Sequence, residues 1–249
     1  MLANSKYSRC IIFSTTLVLA IMPAFFSLAR AFADDGGELL GMVNSVQLHR
    51  SDGSWIGLSQ FPPSPAPLST NAIKVAVIDS GVALGHPQLK GLVKLTHDFS
   101  GEGIEDRTGH GTVDAIIIGN SAVVADSSGD HAMAALLIAK VTRMKAGKAV
   151  PYRSAVISAI NWAAKHGARE INLSLGFDDD ESHNVELCKT IKNHPNILFV
   201  TAAGNSGPQV EMFPAGCDLP NVLSVATPTP SSGAGDFTRN GTVELAPIH

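Results

Sequence analysis

The sequence has few of the features that mark nucleic-acid-binding or nucleotide-binding proteins. Aromatic residues make up only 6% of its 249 residues, and acidic side chains outnumber basic ones by 22 to 18. No basic stretch interleaved with aromatics is present, which argues against nucleic acid as the main partner. The sequence also has no P-loop, and no Gly-x-Gly-x-x-Gly follows a strand pattern, which argues against a nucleotide-binding domain.

Cysteine is scarce as well, with only Cys10, Cys188 and Cys217 in the chain. No Cys or His lies at close spacing beside either of the last two, so they do not resemble zinc ligands. In an oxidising compartment, Cys188 and Cys217 would be expected to pair in a disulfide. Two separate buried thiols are the alternative, and the sequence leaves both open.

The N-terminal residues 1–33 have the pattern of a secretory signal peptide. A positively charged start precedes an apolar run over residues 11–28, and Ala31-Phe32-Ala33 offers a small-x-small cleavage site. An uncleaved membrane anchor is the alternative, although polar residues and Pro23 dilute the run. We therefore expect an exported protein, periplasmic or extracellular, with membrane contact only through this segment.

Residues 34–72 are interpreted as a short leader that ends in a proline-rich linker, and residues 73–249 as the main domain. Within the leader, residues 46–50 and 55–58 flank a Ser-Asp-Gly-Ser turn and predict a small hairpin. Four prolines between residues 62 and 67 make the linker stiff.

The main domain alternates between strand and helix patterns. Short apolar runs predict strands at 73–78, 134–141, 170–175, 197–202 and 222–226. Helical spacing predicts helices at 109–119, 153–166 and 185–193, the second closed by Gly167 in a left-handed cap. This alternation predicts an α/β fold, with a mostly parallel sheet and helices on both faces.

Polar and glycine-containing segments follow the strands of the predicted sheet. Asp79 and Ser174-Leu175-Gly176 come at or after strand ends, Asn205 follows a third strand, and His110 opens a helix. Because parallel sheets place ligands beyond the carboxyl ends of their strands, these segments are expected to meet at one edge. Each one alone also fits an ordinary turn or helix cap.

Together, the ordered segments resemble the subtilisin-like serine proteases, the subtilases. The resemblance runs from about residue 73 to the C-terminus and rests on motifs in the family's order. These are Asp79-Ser80-Gly81, His86-Pro87-Gln88-Leu89, Gly109-His110-Gly111-Thr112, Ser174-Leu175-Gly176, Asn205, Phe213-Pro214-Ala215, Asn221-Val222-Leu223-Ser224-Val225-Ala226, Phe237-Thr238-Arg239-Asn240-Gly241 and Val243-Glu244-Leu245-Ala246-Pro247. Asp79 precedes His110 in the chain, which is also the order of these two motifs in subtilisin.

The resemblance implies a three-layer subtilisin-like fold and an endopeptidase acting on polypeptides. His110 would take the proton from a serine hydroxyl, and Asp79 would hold the imidazole in the right tautomer. Asn205 would donate to the oxyanion. Ser174, Leu175 and Gly176 would align the substrate backbone through main-chain hydrogen bonds.

The sequence departs from the family at the nucleophile. In subtilases, a Gly-Thr-Ser-x-Ala segment follows the Ala-Pro element by a few tens of residues, whereas here Ala246-Pro247 is followed only by Ile248 and His249. No other serine fits the pattern. We expect a peptidase domain that is incomplete at the C-terminus, truncated before the serine and inactive as it stands. A non-catalytic peptide-binding relative is the alternative.

No cofactor is required by this chemistry, although secreted members of the family often bind calcium. Asp178-Asp179-Asp180-Glu181 is a candidate cation site, although its composition favours a solvated acidic loop. No calcium ligand can be assigned, and the pattern does not define an oligomeric state.

Overall fold

The computed structural model describes residues 47–49, 55–57, 65–121, 123–126, 129–178, 181–204, 212–226 and 243–244. The strands are β1 Gln47–His49, β2 Trp55–Gly57, β3 Leu68–Asp79, β4 Val93–Asp98, β5 Val123–Asp126, β6 Gly129–Lys140, β7 Thr142–Lys145, β8 Lys148–Pro151, β9 Glu170–Leu173, β10 Leu198–Ala202, β11 Val222–Ala226 and β12 Val243–Glu244. The helices are α1 His110–Ser121, α2 Arg153–Lys165 and α3 Glu181–Lys192, with a 3-10 turn at Pro87–Leu89.

The central sheet is mostly parallel, as the sequence predicts. Its strand order is β12-β11-β10-β9-β3-β6-β4, every neighbouring pair is parallel, and β5 joins β6 in antiparallel orientation. Residues Val75–Ile78 of β3 are buried on both faces, which explains their continuous apolar run.

Helices cover both faces of the sheet. Alternate β3 residues point to opposite sides, so Val75 and Val77 pack in one core and Ala76 and Ile78 in the other. The first core contains apolar residues of α1: Val113, Ala115, Ile116 and Ile117. The second contains apolar residues of α2 and α3: Ala155, Val156, Ala159, Ile160, Ala163, Leu187 and Ile191. The result is the expected three-layer α/β architecture.

The structure corrects several predicted boundaries. Strand β3 begins at Leu68, five residues before the prediction, because Leu68 pairs with Ala132 before the register shifts ahead of Ile73. Strand β9 ends at Leu173 rather than at residue 175. Strands β4, β5, β7 and β8 were not predicted. Polar and apolar residues are mixed in β4, β7 and β8, and the apolar run of β5 is only three residues long.

Other local predictions are confirmed. Strands β1 and β2 pair in antiparallel orientation, as the predicted hairpin requires. Helix α2 ends before Gly167, whose φ of 82° is the left-handed conformation predicted for its cap. Within the described residues, no helix combines the length and apolar character needed to cross a bilayer.

The parallel register brings three strand ends to one edge of the sheet. Val77 of β3 lies opposite Asn172 of β9, and Leu173 of β9 lies opposite Thr201 of β10. Asp79 is the last residue of β3, and helix α1 begins at the same edge. This edge is where the candidate site is built.

Candidate active site

Asp79 presents a buried carboxylate at the carboxyl end of β3. Its side chain is 4% exposed, and its Oδ1 accepts hydrogen bonds from the Ser80 amide at 2.6 Å and from His110 Nδ1 at 2.8 Å. The structure thus brings together two residues separated by 31 positions in the sequence. A proton on Nδ1 makes the imidazole the donor to the carboxylate, and this leaves Nε2 as the ring nitrogen that can accept a proton.

The glycines around His110 allow the helix to start against the end of β3. Gly109 has a φ of 82°, which favours glycine. A Cβ on Gly111 would lie 2.5 Å from the Gly81 carbonyl oxygen and 3.1 Å from Asp79 Cβ. Glycine at position 111 therefore permits the close approach that places His110 beside Asp79.

We expect Gly111→Ala to lower the free energy of unfolding by about 1–3 kcal/mol, because the added methyl group overpacks this contact. Chemical denaturation measures the change. Gly85→Ala is the matched control, since its Cβ would meet nothing within 4 Å. Equal stability of the two variants would contradict the packing role assigned to Gly111.

Asp106 organises the loop that leads into α1, a role that sequence reasoning missed. Its Oδ1 accepts hydrogen bonds from the Ser80 hydroxyl at 2.9 Å and from the Gly109 amide at 2.8 Å. Its Oδ2 accepts from the amide and hydroxyl of Thr112, at 2.8 and 2.7 Å. These bonds satisfy amides at the start of the helix that have no partner within it. Burial raises the pKa of Asp106, but the hydrogen bonds from Thr112, Thr108 and Ser80 outweigh it and leave the pKa below its usual value.

The charged groups around His110 are mainly carboxylates. Burial lowers the pKa of His110, but the carboxyl groups of Asp79, Asp114 and Asp106 raise it to about 10. The site therefore stabilises the imidazolium form, which a general base passes through when it takes a proton.

Asp114 lies one helical turn after His110 and was not singled out from the sequence. It is 1% exposed, and its Oδ1 is 4.0 Å from His110 Nδ1. Its Oδ2 accepts a hydrogen bond from Asn172 Nδ2 at 3.1 Å, and the same amide donates to Ser174 Oγ at 3.0 Å. The spacing of four residues in a helix was the available signal, because it places two side chains on one face.

The segment Ser174-Leu175-Gly176 leaves the same sheet edge directly after β9. Beyond it, Phe177 and Phe213 form an antiparallel bridge, with each amide donating to the other carbonyl at 2.8 and 2.9 Å. A Cβ on Gly176 would lie 2.8 Å from Met212 Cε. Glycine there lets the Met212 side chain pack against the segment.

The oxyanion candidate Asn205 lies outside the described residues, which stop at Gly204 on that side and resume at Met212. Gly204 follows β10 at the same edge of the sheet and has a φ of 96°.

In the structure Cys188 of α3 and Cys217 form a disulfide with their Cα atoms 5.4 Å apart. The disulfide ties α3 to the segment that follows Met212 and Phe213.

Asp79, His110 and Asp114 offer ligand atoms that lie within 4.8 Å of one another, a spacing that a cation could bridge. The hydrogen bond between His110 Nδ1 and Asp79 Oδ1 already engages one atom of each of these two residues. We therefore do not assign a metal site to this cluster. In the acidic run considered for calcium, Asp178 is described and exposed, whereas Asp179 and Asp180 lie outside the described residues.

The chain is similar to a known family and to several curated proteases. Residues 70–248 match the family described as Peptidase_S8, Subtilase family. Thermitase of Thermoactinomyces vulgaris is 30% identical over 172 residues, covering 68% of this chain and 60% of the relative. The thermostable alkaline protease of Halalkalibacterium halodurans is 29% identical over 171 residues, covering 69% of this chain and 45% of the relative.

Among solved structures, the prenylagaramide maturation protease PagA matches with a TM-score of 0.48 and 28% identity, covering 67% of this chain and 57% of that chain. The chain spans roughly half the length of the curated relatives it matches.

Proposed function

Because the chain belongs to the subtilase family of serine proteases, we propose that Asp79 and His110 are the acid and base of a serine endopeptidase active site. The observation that carries the proposal is the 2.8 Å hydrogen bond from His110 Nδ1 to a buried carboxylate at a strand end. That bond orients the imidazole so that Nε2 can accept the proton of an attacking serine hydroxyl and return it to the leaving amine.

The substrate in this proposal is a polypeptide. Its backbone would lie along Ser174, Leu175 and Gly176, which leave the sheet at the edge that carries His110. Asn205 would donate a hydrogen bond to the oxyanion, because it directly follows Gly204 at the end of the neighbouring strand. The reaction uses amino-acid side chains alone and requires no cofactor.

The nucleophile in this proposal is a serine supplied by sequence outside the 249 residues. No serine of the chain occurs in the family's Gly-Thr-Ser-x-Ala context, and the chain matches only part of its relatives. On this view, residues 70–248 supply the base, its orienting carboxylate and the substrate-aligning segment. Hydrolysis requires the serine-bearing segment as well.

We further propose that the protein is exported through residues 1–33. The disulfide between Cys188 and Cys217 supports this location, because disulfides persist in oxidising compartments and are rare in the cytosol.

Labelling with a fluorophosphonate probe tests the proposal, because the probe reacts with a serine activated by a neighbouring base. The 249-residue chain is expected to remain unlabelled. A polypeptide extended through a Gly-Thr-Ser segment is expected to be labelled and to cleave a peptide substrate.

Far-UV circular dichroism of both proteins serves as the control for folding. Labelling of the 249-residue chain would mean that one of its own serines is the nucleophile. A folded, extended polypeptide that neither labels nor cleaves would overturn the endopeptidase assignment.

A further inference from the structure

A second buried carboxyl group lies next to the proposed acid–base pair. Asp114 occupies the second turn of α1, between the core residues Val113 and Ala115. It is 1% exposed, and burial of a carboxylate is costly unless a partner compensates for it. The roles proposed above for Asp79 and His110 do not account for this residue.

The contacts of Asp114 divide between its two oxygens. Oδ1 lies 4.0 Å from His110 Nδ1 and has no hydrogen-bond partner among the residues that the structure describes. Oδ2 accepts from Asn172 Nδ2, which also donates to Ser174 Oγ. Asp114 thus connects the imidazole to the start of the proposed substrate-aligning segment.

The other charged groups around this pair come from three elements. Asp79 faces His110 from β3, and Asp106 from the loop before α1. Strand β6 contributes the buried Lys140, whose ammonium group donates to the Glu105 carbonyl oxygen at 2.6 Å. Asn172 of β9 and Ser174, which directly follows β9, are uncharged.

The surroundings of Asp114 disfavour its ionised form. Burial raises the pKa of Asp114, and the charge of Asp79 raises it further. The charge of His110 and the hydrogen bonds with Ser174 and Asn172 lower it, and the net shift is upward. Asp114 is therefore easiest to ionise while His110 carries its proton, so the two groups are coupled.

We propose that Asp114 is a positioning residue for His110: its carboxylate holds the imidazolium form and sets the pH above which the imidazole is available as a base. Its geometry favours this role, because Asn172 holds one carboxyl oxygen and the other lies 4.0 Å from Nδ1. The catalytic consequence rests on the function proposed above, whereas the effect on proton binding does not.

The test is an NMR titration of the His110 imidazole in the 249-residue chain. Asp114→Asn is expected to lower the titration midpoint by about one to three pH units, the usual effect of losing an opposite charge at this distance. Asp130→Asn is the matched control. Asp130 is exposed at the start of β6, and the site lies at the other end of this strand, beside its last residue, Lys140. The control is expected to leave the midpoint unchanged.

Asp114→Val provides a second variant if the asparagine variant does not fold, because an apolar side chain removes the burial cost of the carboxyl group. An unchanged His110 midpoint in either folded variant would overturn the proposal.

Kinetic measurements distinguish a failure of this proposal from a failure of the proposed function. In an extended polypeptide with the nucleophile, the acidic limb of kcat/KM is expected to move to lower pH in Asp114→Asn by the same amount as the NMR midpoint. An NMR shift without any hydrolysis would support the role of Asp114 and contradict the protease assignment. Hydrolysis whose acidic limb and NMR midpoint do not move would support the protease assignment and contradict the role of Asp114.

Discussion

His110→Ala is expected to lower turnover by about 10⁶-fold in a polypeptide that carries the proposed nucleophile. This magnitude is the one known for subtilisin itself, where loss of the histidine costs about as much as loss of the whole triad. The physical reason is that a serine hydroxyl is a poor nucleophile unless a base takes its proton during attack. Initial rates of peptide hydrolysis measure the loss.

His131→Ala is the control for this experiment. His131 lies near the start of β6, and the proposed site lies at the opposite end of that strand, beside Lys140. Its replacement is expected to leave turnover within about twofold of wild type, the effect usual for a site that makes no contact with the reaction. A His110→Ala variant that retains more than a tenth of the wild-type turnover would contradict the role of His110.

Asp79→Asn is expected to reduce turnover by about 10⁴-fold, the loss known for the equivalent change in serine proteases with a Ser-His-Asp triad. An asparagine amide facing Nδ1 would donate where the Asp79 carboxylate accepts. The imidazole would then carry its proton on Nε2, which could no longer accept one from serine.

The loss in Asp79→Asn is expected in kcat, with KM changed little. Asp79 is buried against His110 and has no proposed contact with substrate. Steady-state kinetics at several substrate concentrations separate the two constants, and Asp130→Asn serves as the charge-matched control. A large rise in KM with kcat preserved would indicate that Asp79 acts on substrate binding rather than on the imidazole.

The sequence predicted the parts of the site that depend on short local patterns. Asp79 follows a continuous apolar run, which marks a buried strand and its carboxyl end. His110 stands between two glycines at a helix start, where the backbone can approach a neighbouring element closely. The common edge then followed from the direction of parallel strands.

The sequence did not reveal the residues whose roles depend on long-range contacts. Asp106 looks like an ordinary loop residue until the fold brings Ser80 beside it, 26 positions away in the chain. Asp114 reads as a polar interruption of an apolar helix, and its contact with Asn172 spans 58 positions. Such contacts are set by strand order and register, which a local pattern does not specify.

One strand and one strand boundary were missed for a different reason. In β4, Lys94, Leu95, Thr96 and His97 are all exposed, so the alternation that reveals a half-buried strand is weak. At the start of β3, the nearby prolines indicated a linker, yet the Pro67 carbonyl accepts a hydrogen bond from the Ala132 amide. Pairing with β6 thus extends the strand almost to the prolines.

A double-mutant cycle on turnover tests the central claim most directly, because it asks whether Asp79 and His110 act as one unit. The double variant Asp79→Asn/His110→Ala is expected to be as slow as His110→Ala alone, since Asp79 has no imidazole left to orient. The contrary result is a double variant slower than His110→Ala by a further factor of about 10⁴, which is the full loss expected for Asp79→Asn alone. The two residues would then act independently, and the account would be wrong.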